Sequence, residues 1–580
     1  MRTKRRPGNF IWYGFVAGVI LLSLAAVGRS LIIGLDIDEQ YAVTLAYRIA
    51  SGDILLKEMW EPHQTTAIWP AFFVKLYLSV FGNGEYLVLF LRVLGVFLGA
   101  GVSFFWYRVM KQRFDKKVSF LTALIVFHIL PKWIQTPEFA NTQIWFLLLT
   151  MLCVLQYMQC RKLLYAFLAG FFMVLEVLAY PSCVLLFLFY VVFLWKTAGG
   201  KKAKDQKGTI VFTGVCLGCA LCFVGYLLCH MLFGEMISYV GYVFADADHS
   251  MGILDKLAAY GKEALEILLY VGFYGLIAGV LTSVLRRWKK CPLQKTDLFL
   301  TLLLLVALLD QVRLWTFGLT PNVHPQIHYL LLFVTGGVLY GKEKEKRQER
   351  RTLFCLGWIS SLIAFAAVML FTNLDMKASF VHLLPGMLCS FLFWTDKKCT
   401  DKKCTDEEAE KKQDSIAWIK VLLLVWVIVL IGARGYLVRA TEGWHETVFS
   451  VKQKALYSSA SGVYCSYMVG YQYNADYLFL HEKVQPEEKM LYIGANGLTY
   501  LMDDREVCSA STISTPFYDE KYIEYYKINP EKTPDVIVVD RYFWGAYPDR
   551  VEPIKEWIFA NYDWENKEES EFLWIVRLKK

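Results

Sequence analysis

The stretch Gly34–Val43, GLDIDEQYAV, places Asp36, Asp38 and Glu39 within four positions of one another, directly after a long apolar run. Carboxylates this close repel and raise one another's pKa, which suits one of them to take a proton from a substrate. Helix capping accounts for one or two of the three, because Asp suits an N-cap and Glu a first turn. A second polar stretch, PKWIQTPEFANTQ, brings Lys132, Glu138, Asn141 and Gln143 together. Glu138 follows Pro137 and reads equally as a helix-start acid or as an orienting or catalytic one. The third, DQVRLWTFGLTPNVHPQIHY, carries Asp310 and Arg313 at the edge of an apolar run and His324 and His328 beyond it. Ionisable residues there are costly and are functional candidates unless paired. The i,i+3 spacing of Asp310 and Arg313 also fits a mutual ion pair. The two histidines are spaced for a metal pair, but no carboxylate accompanies them as in HExxH, which argues against zinc.

Such groups need a scaffold, and the composition says which kind. Of the 580 residues 56% are hydrophobic, and many runs approach the roughly 20 apolar residues that cross a bilayer as a helix. The net charge of +8 lies in short basic clusters between those runs, a pattern of membrane topology and not of nucleic-acid binding. Most of the 14 cysteines lie in apolar runs, where they read as small hydrophobes. Cys465 and Cys508 are far enough along the chain to pair if that region is exported.

The basic start MRTKRRPGNF precedes an apolar run too long for a signal peptide, so the segment to about Gly34 reads as a retained first helix. Further spans are expected near 85–107, 118–131, 139–158, 163–179, 181–195, 208–233, 264–285, 297–316, 328–341, 352–371, 379–395 and 416–438, about thirteen in all. The apolar stretch Thr65–Gly82 is short and carries Pro70 and Lys75. Leaving it out puts KQRFDKK, KTAGGKKAKDQK, RRWKKCPLQK and KEKEKRQERR on the cytoplasmic side, as the positive-inside rule requires. It is therefore expected to lie in the outer interface. The expected plan is a polytopic α-helical membrane domain, residues 1–439, with a cytoplasmic N-terminus. Its outer loop 35–84 carries two interfacial helices flanking GDILLKEMWEPHQ. A small extracytoplasmic α/β domain, 440–580, follows. There KMLYIGA, PDVIVVDRYF and EFLWIVRLK read as strands and PIKEWIFANY as a helix; GANG is too weak for a nucleotide site.

With the acids outside, one chemistry joins the pieces. A carboxylate removes a proton from a hydroxyl or amine as it attacks a sugar carbon, while cations hold a lipid-borne phosphate as it leaves. At this point the chain resembles the GT-C glycosyltransferases, the group of protein O-mannosyltransferases and lipid A aminoarabinose transferases. The resemblance rests on the span plan, the large first outer loop, and Asp38-Glu39 with Tyr41-Ala42, which is similar to the family's DE…YA pattern. It implies a transferase taking a sugar from a polyprenyl-monophosphate donor to a glycan, lipid or protein acceptor outside the cell membrane, with Asp38 as base and Glu39 beside it. Asp36, Tyr41, Arg48, His63, Lys132, Glu138, Arg313, His324 and His328 are the expected substrate-binding set. WEPHQTTA offers His63 without the family's proline pair. The family's acid in the second outer loop has Glu138, Asn141 and Gln143 as its counterparts here. Asp36-Ile37-Asp38 formally fits the metal-binding DxD of the oligosaccharyltransferase branch, but the mannosyl and aminoarabinosyl branches need no metal, and no cofactor is expected.

Rival readings are a transporter or flippase, and an envelope polysaccharide polymerase or ligase. The first tends to show internal repeats and midplane polar sites, and the second relies on Arg-rich outer loops. Neither feature is evident in this chain.

Overall fold

A computed structural model describes residues 7–197, 206–244, 252–287, 294–317, 327–341, 348–372, 374–396, 406–441, 444–512 and 521–579. The helices run α1 Pro7–Ile32, α2 Ile37–Ser51, α3 Ile68–Phe81, α4 Leu87–Met110, α5 Lys116–His128, α6 Phe139–Cys160, α7 Leu163–Ala179, α8 Val184–Thr197 and α9 Lys207–His230. They continue as α10 Phe233–Phe244, α11 Ile253–Arg287, α12 Lys295–Thr316, α13 Ile327–Gly341, α14 Gln348–Leu353, α15 Ser360–Phe371, α16 Met376–Ser379, α17 Leu384–Thr395 and α18 Asp406–Tyr436. Among the described residues nine helices are long and apolar enough to cross a membrane. The other expected spans coincide with shorter helices, α5, α7, α8 and α13. The chain is thus a multi-pass membrane protein.

Burial sorts these helices. α6 is apolar on nearly every side and is buried throughout, as is the segment Met376–Thr395. They form the centre of the bundle. α9 and α11 expose most of their length, with Leu265, Leu268, Leu269 and Phe273 turned outward as expected of lipid-facing helices. Close packing follows small residues: a Cβ on Gly170 of α7 would meet the Phe212 carbonyl of α9 at 2.8 Å. α3 exposes Phe72, Leu76, Val80 and Phe81 along one side. α10, Phe233–Phe244, lies in a segment expected as a loop; its Tyr242 donates to Glu524 of the C-terminal region and stacks on Trp60 of loop 35–84 at 4.3 Å between ring centres.

From Leu437 the chain turns to strands: β1 Leu437–Thr441, β2 Trp444–Thr447, β3 Val451–Lys454, β4 Tyr464–Ser466, β5 Met490–Ile493, β6 Val536–Asp540, β7 Glu568–Glu569 and β8 Leu573–Arg577. Four form a sheet in the order β5-β6-β8-β7, with β5 and β6 parallel and β8 antiparallel to both β6 and β7. β5 and β6 are buried at every residue, as their continuous apolar runs require. Helices α19 Tyr467–Lys483, α20 Lys521–Ile528, α21 Arg541–Ala546 and α22 Pro548–Asn561 complete this small α/β part. Cys465 and Cys508 form no disulfide. The sheet region is tied to the membrane helices at the exit of α1, where Gly34 N–H donates to the Tyr464 carbonyl at 2.7 Å.

Candidate active site

The acid cluster sits where α1 ends and α2 begins, and its three members do different things. Asp36 is the N-cap of α2, its side chain accepting from the Asp38 N–H at 3.0 Å. Glu39 is 2% exposed and receives the guanidinium of Arg92 from α4, with Nε–Oε1 at 2.7 Å. Thr136 Oγ1 donates to the same carboxylate at 2.5 Å, and Arg92 also donates to the Leu31 carbonyl at the end of α1. Asp38 is the accessible member: its side chain is 21% exposed, and Oδ2 lies 2.8 Å from Lys132 Nζ.

Lys132 comes from the loop between α5 and α6, and that loop is fixed from two sides. A Cβ on Gly95 of α4 would lie 2.0 Å from the Gln135 carbonyl, so only glycine lets the loop backbone settle onto α4. Arg434 of α18 donates to the Phe127 carbonyl at 2.8 Å and to the Gln135 side chain. At the loop's end Glu138 caps α6, accepting from the Asn141 N–H at 2.6 Å and the Ala140 N–H at 2.8 Å. Burial holds the Glu138 carboxyl above its usual range, against the opposing pull of Lys132 and the two backbone donors.

Phe139 and His63 complete the wall. Lys132 Nζ stands 3.9 Å above the Phe139 ring, and the His63 imidazole stacks on the same ring at 4.0 Å between centres. His63 is carried by the turn before α3, which Thr65 and Thr66 anchor by donating to the Leu178 and Ala179 carbonyls at the end of α7. Tyr41, from the next turn of α2, lines a small cavity with His63 and Phe139. Asp38, Lys132, Glu138, His63 and Tyr41 are therefore gathered at one place.

Arg48 is turned elsewhere. It is 1% exposed and donates to Asp53 at 2.7 Å, to Glu61, and to the carbonyls of Glu58 and Ser509, which clamps loop 35–84 onto the C-terminal sheet region. Glu61 in turn accepts from the Thr512 N–H and hydroxyl. Arg313 pairs with Asp310 at 2.8 Å and is half exposed, while Tyr274 donates to the other oxygen of Asp310. His328 is buried beside Leu304, Leu332 and Trp426, within the bundle. His324 lies outside the described residues, as does most of the DKKCTDKKCTD loop.

Next to Phe139 a buried polar chain joins Gln143, one of the polar residues singled out in the sequence, to His382 and Glu176, which the sequence expectations did not include. His382 Nδ1 is 2.8 Å from Gln143 Oε1, and Gln143 Nε2 donates to Glu176 Oε1 at 3.1 Å. The Tyr180 ring meets His382 edge-on at 5.6 Å, and also Phe139 and His63. A glutamate within an apolar run was the signal available for this chain.

Among the described residues no group of three or more His, Cys, Asp or Glu side chains is arranged to hold a metal ion. No protein-family model and no curated protein sequence matches the chain. In fold it is similar to an oligosaccharyltransferase of Archaeoglobus fulgidus crystallised with zinc and sulfate, at 11% identity and a TM-score of 0.43, covering 92% of this chain and 69% of that one. The same enzyme tethered to an acceptor peptide gives 12% identity and a TM-score of 0.39 over 98% and 74%. ArnT from Cupriavidus metallidurans in the apo state gives 11% identity and a TM-score of 0.36 over 98% of both chains. Likeness of this degree lends no weight to a function, which has to come from the site's own residues.

Proposed function

We propose that this protein transfers a sugar from a polyprenyl-monophosphate donor to an acceptor at the outer face of the membrane. The observation that carries the reading is the Asp38–Lys132 pair, an accessible carboxylate and a lysine at the end of the first apolar helix. Asp38 takes the proton of the acceptor hydroxyl or amine as that group forms its bond to C1 of the sugar. The bond from C1 to the phosphate oxygen breaks, and its electron pair leaves with the phosphate. Lys132 neutralises Asp38. The donor phosphodiester carries one negative charge and gains a second as its C1–oxygen bond breaks; it draws the ammonium away and frees the base, and His63, stacked on Phe139, adds a second donor to the departing oxygen. Glu39, bound by Arg92 and Thr136, acts as a strut for the start of α2 and not as a second base. A divalent cation at Asp36-Ile37-Asp38 does not suit this arrangement, because one carboxylate caps the helix and the other meets an ammonium group.

Purified wild type and Asp38→Asn, compared by native mass spectrometry, test the reading. The variant is expected to retain a polyprenyl-phosphate sugar that the wild type has discharged to polyprenyl phosphate. If neither form carries a polyprenyl lipid, and neither takes one up from detergent, the donor assignment is wrong.

A further inference from the structure

Tyr180 ends α7 and is 2% exposed, yet its hydroxyl has no hydrogen-bond partner. A buried phenol normally finds one, and phenylalanine would fill the same space without the loss. The ring is held on three sides, edge-on to Phe139 at 5.8 Å, to His63 at 5.9 Å and to His382 at 5.6 Å, so the hydroxyl is not free to swing toward solvent. His382 is itself fixed through Gln143 to Glu176, whose second oxygen also lacks a partner. The ring packs against Phe139 and His63, which wall the site described above, and Glu138 directly precedes Phe139 in the chain. An O–H donor with no partner, fixed in a wall of the site, points to an acceptor atom that arrives with the ligand.

The surrounding charge says which atom. Burial and the nearby acids push the Tyr180 phenol well above its usual range, so it remains a neutral donor. Two carboxylates repel a phosphate oxygen there. A sugar hydroxyl is neutral, accepts from Tyr180 and can donate to Glu138, which satisfies both. We infer that Tyr180 is a sugar-binding residue, donating its O–H to a hydroxyl of the transferred sugar, with Glu138 accepting from that same hydroxyl. This rests on the sugar-transfer reading of the site. Tyr180 then belongs to the selection of the donor sugar, and Lys132 with His63 to the phosphate.

The test uses the full-length protein in detergent, with polyprenyl phosphate and with polyprenyl-phosphate-linked mannose, glucose, galactose and 4-amino-4-deoxyarabinose. Tyr180→Phe is expected to unfold at the same temperature as wild type or higher, and to bind bare polyprenyl phosphate as wild type does. It is expected to lose about 3- to 10-fold in affinity for the sugar-bearing lipid that wild type prefers, the range for one neutral hydrogen bond. Equal affinity of the two proteins for that lipid overturns the inference. An equal loss for bare polyprenyl phosphate overturns it too, by moving the contact to the phosphate. Wild type that binds none of these lipids fails the sugar-transfer reading itself, a result distinct from either. Glu138→Gln serves as a second variant: it keeps a hydrogen-bonding side chain at the helix cap, and it should lose affinity for the same sugar-bearing lipid and not for polyprenyl phosphate.

Discussion

Two cation–carboxylate pairs stand side by side at the head of α2, and they are built for opposite ends. Arg92 and Glu39 are both 2% exposed, joined through two guanidinium nitrogens, and braced by Thr136 and by carbonyls at the end of α1. Lys132 and Asp38 meet through one ammonium, with Asp38 partly open. A planar guanidinium that satisfies several acceptors at once is a fixture, while an ammonium on a flexible stem can be drawn off by a stronger anion. Adjacent residues of one helix thus serve as strut and as base because different partners reach them.

The sharpest way to break this comparison is to neutralise each acid in turn. Asp38→Asn is expected to lower sugar transfer by about 10²- to 10⁴-fold with the unfolding midpoint unchanged, since a general base is removed and an accessible pair lost. Glu39→Gln is expected to do the reverse first: it strands a buried arginine and costs about 3–5 kcal/mol of stability, read as a lower midpoint in thermal unfolding. If Glu39→Gln unfolds like wild type while Asp38→Asn does not, the roles of strut and base have been assigned the wrong way round.

A pair of acids sharpens the contrast, because no cation meets it among the described residues. Asp476 on α19 lies near Asp540, the last residue of β6, and burial together with repulsion by Asp540 raises Asp476 well above the usual carboxylate range. Burial raises Asp540 as well. An acid whose pKa is raised by folding stabilises the protein fully below its unfolded value of about 4 and loses that contribution as pH rises through the folded value. The C-terminal region is therefore expected to be more stable near pH 5 than near pH 8. Asp476→Asn should flatten that dependence and stabilise the protein at pH 8 by roughly 1 kcal/mol, measured by hydrogen exchange in β5 and β6. A wild type equally protected at both pH values would remove the pair from this account.

The smallest effect is expected at Arg313. Its pair with Asp310 is i,i+3 and half exposed, so Arg313→Gln should cost under about 1 kcal/mol and leave transfer within twofold. A tenfold loss of transfer with unchanged stability would instead put Arg313 in contact with the lipid phosphate and add a third cation to the comparison.

Much of this was legible without coordinates. The apolar runs and their basic flanks are local, so the helices fall near the expected spans, and the apolar runs of β5, β6 and β8 mark the sheet for the same reason. The capping geometry of Asp36 and Glu138 follows from residue type and the helices that start beside them. What the chain order conceals is which cation reaches which acid. Arg92 is 53 residues from Glu39 and Lys132 is 94 from Asp38, and the second meeting depends on the loop after α5 settling against Gly95 and Arg434. Arg48 carries the same charge as Arg92 and sits on the same helix as the acids, yet the fold turns it to the C-terminal sheet region. His382 comes from a distant span and meets Gln143 of α6 and Tyr180 at the end of α7 only in three dimensions. The sequence alone determined that the chain is polytopic and that acids crowd the turn after its first helix. Tertiary packing decided which of them is held fast and which is left open, because ion-pair partners are chosen by the path of the backbone and not by distance along it.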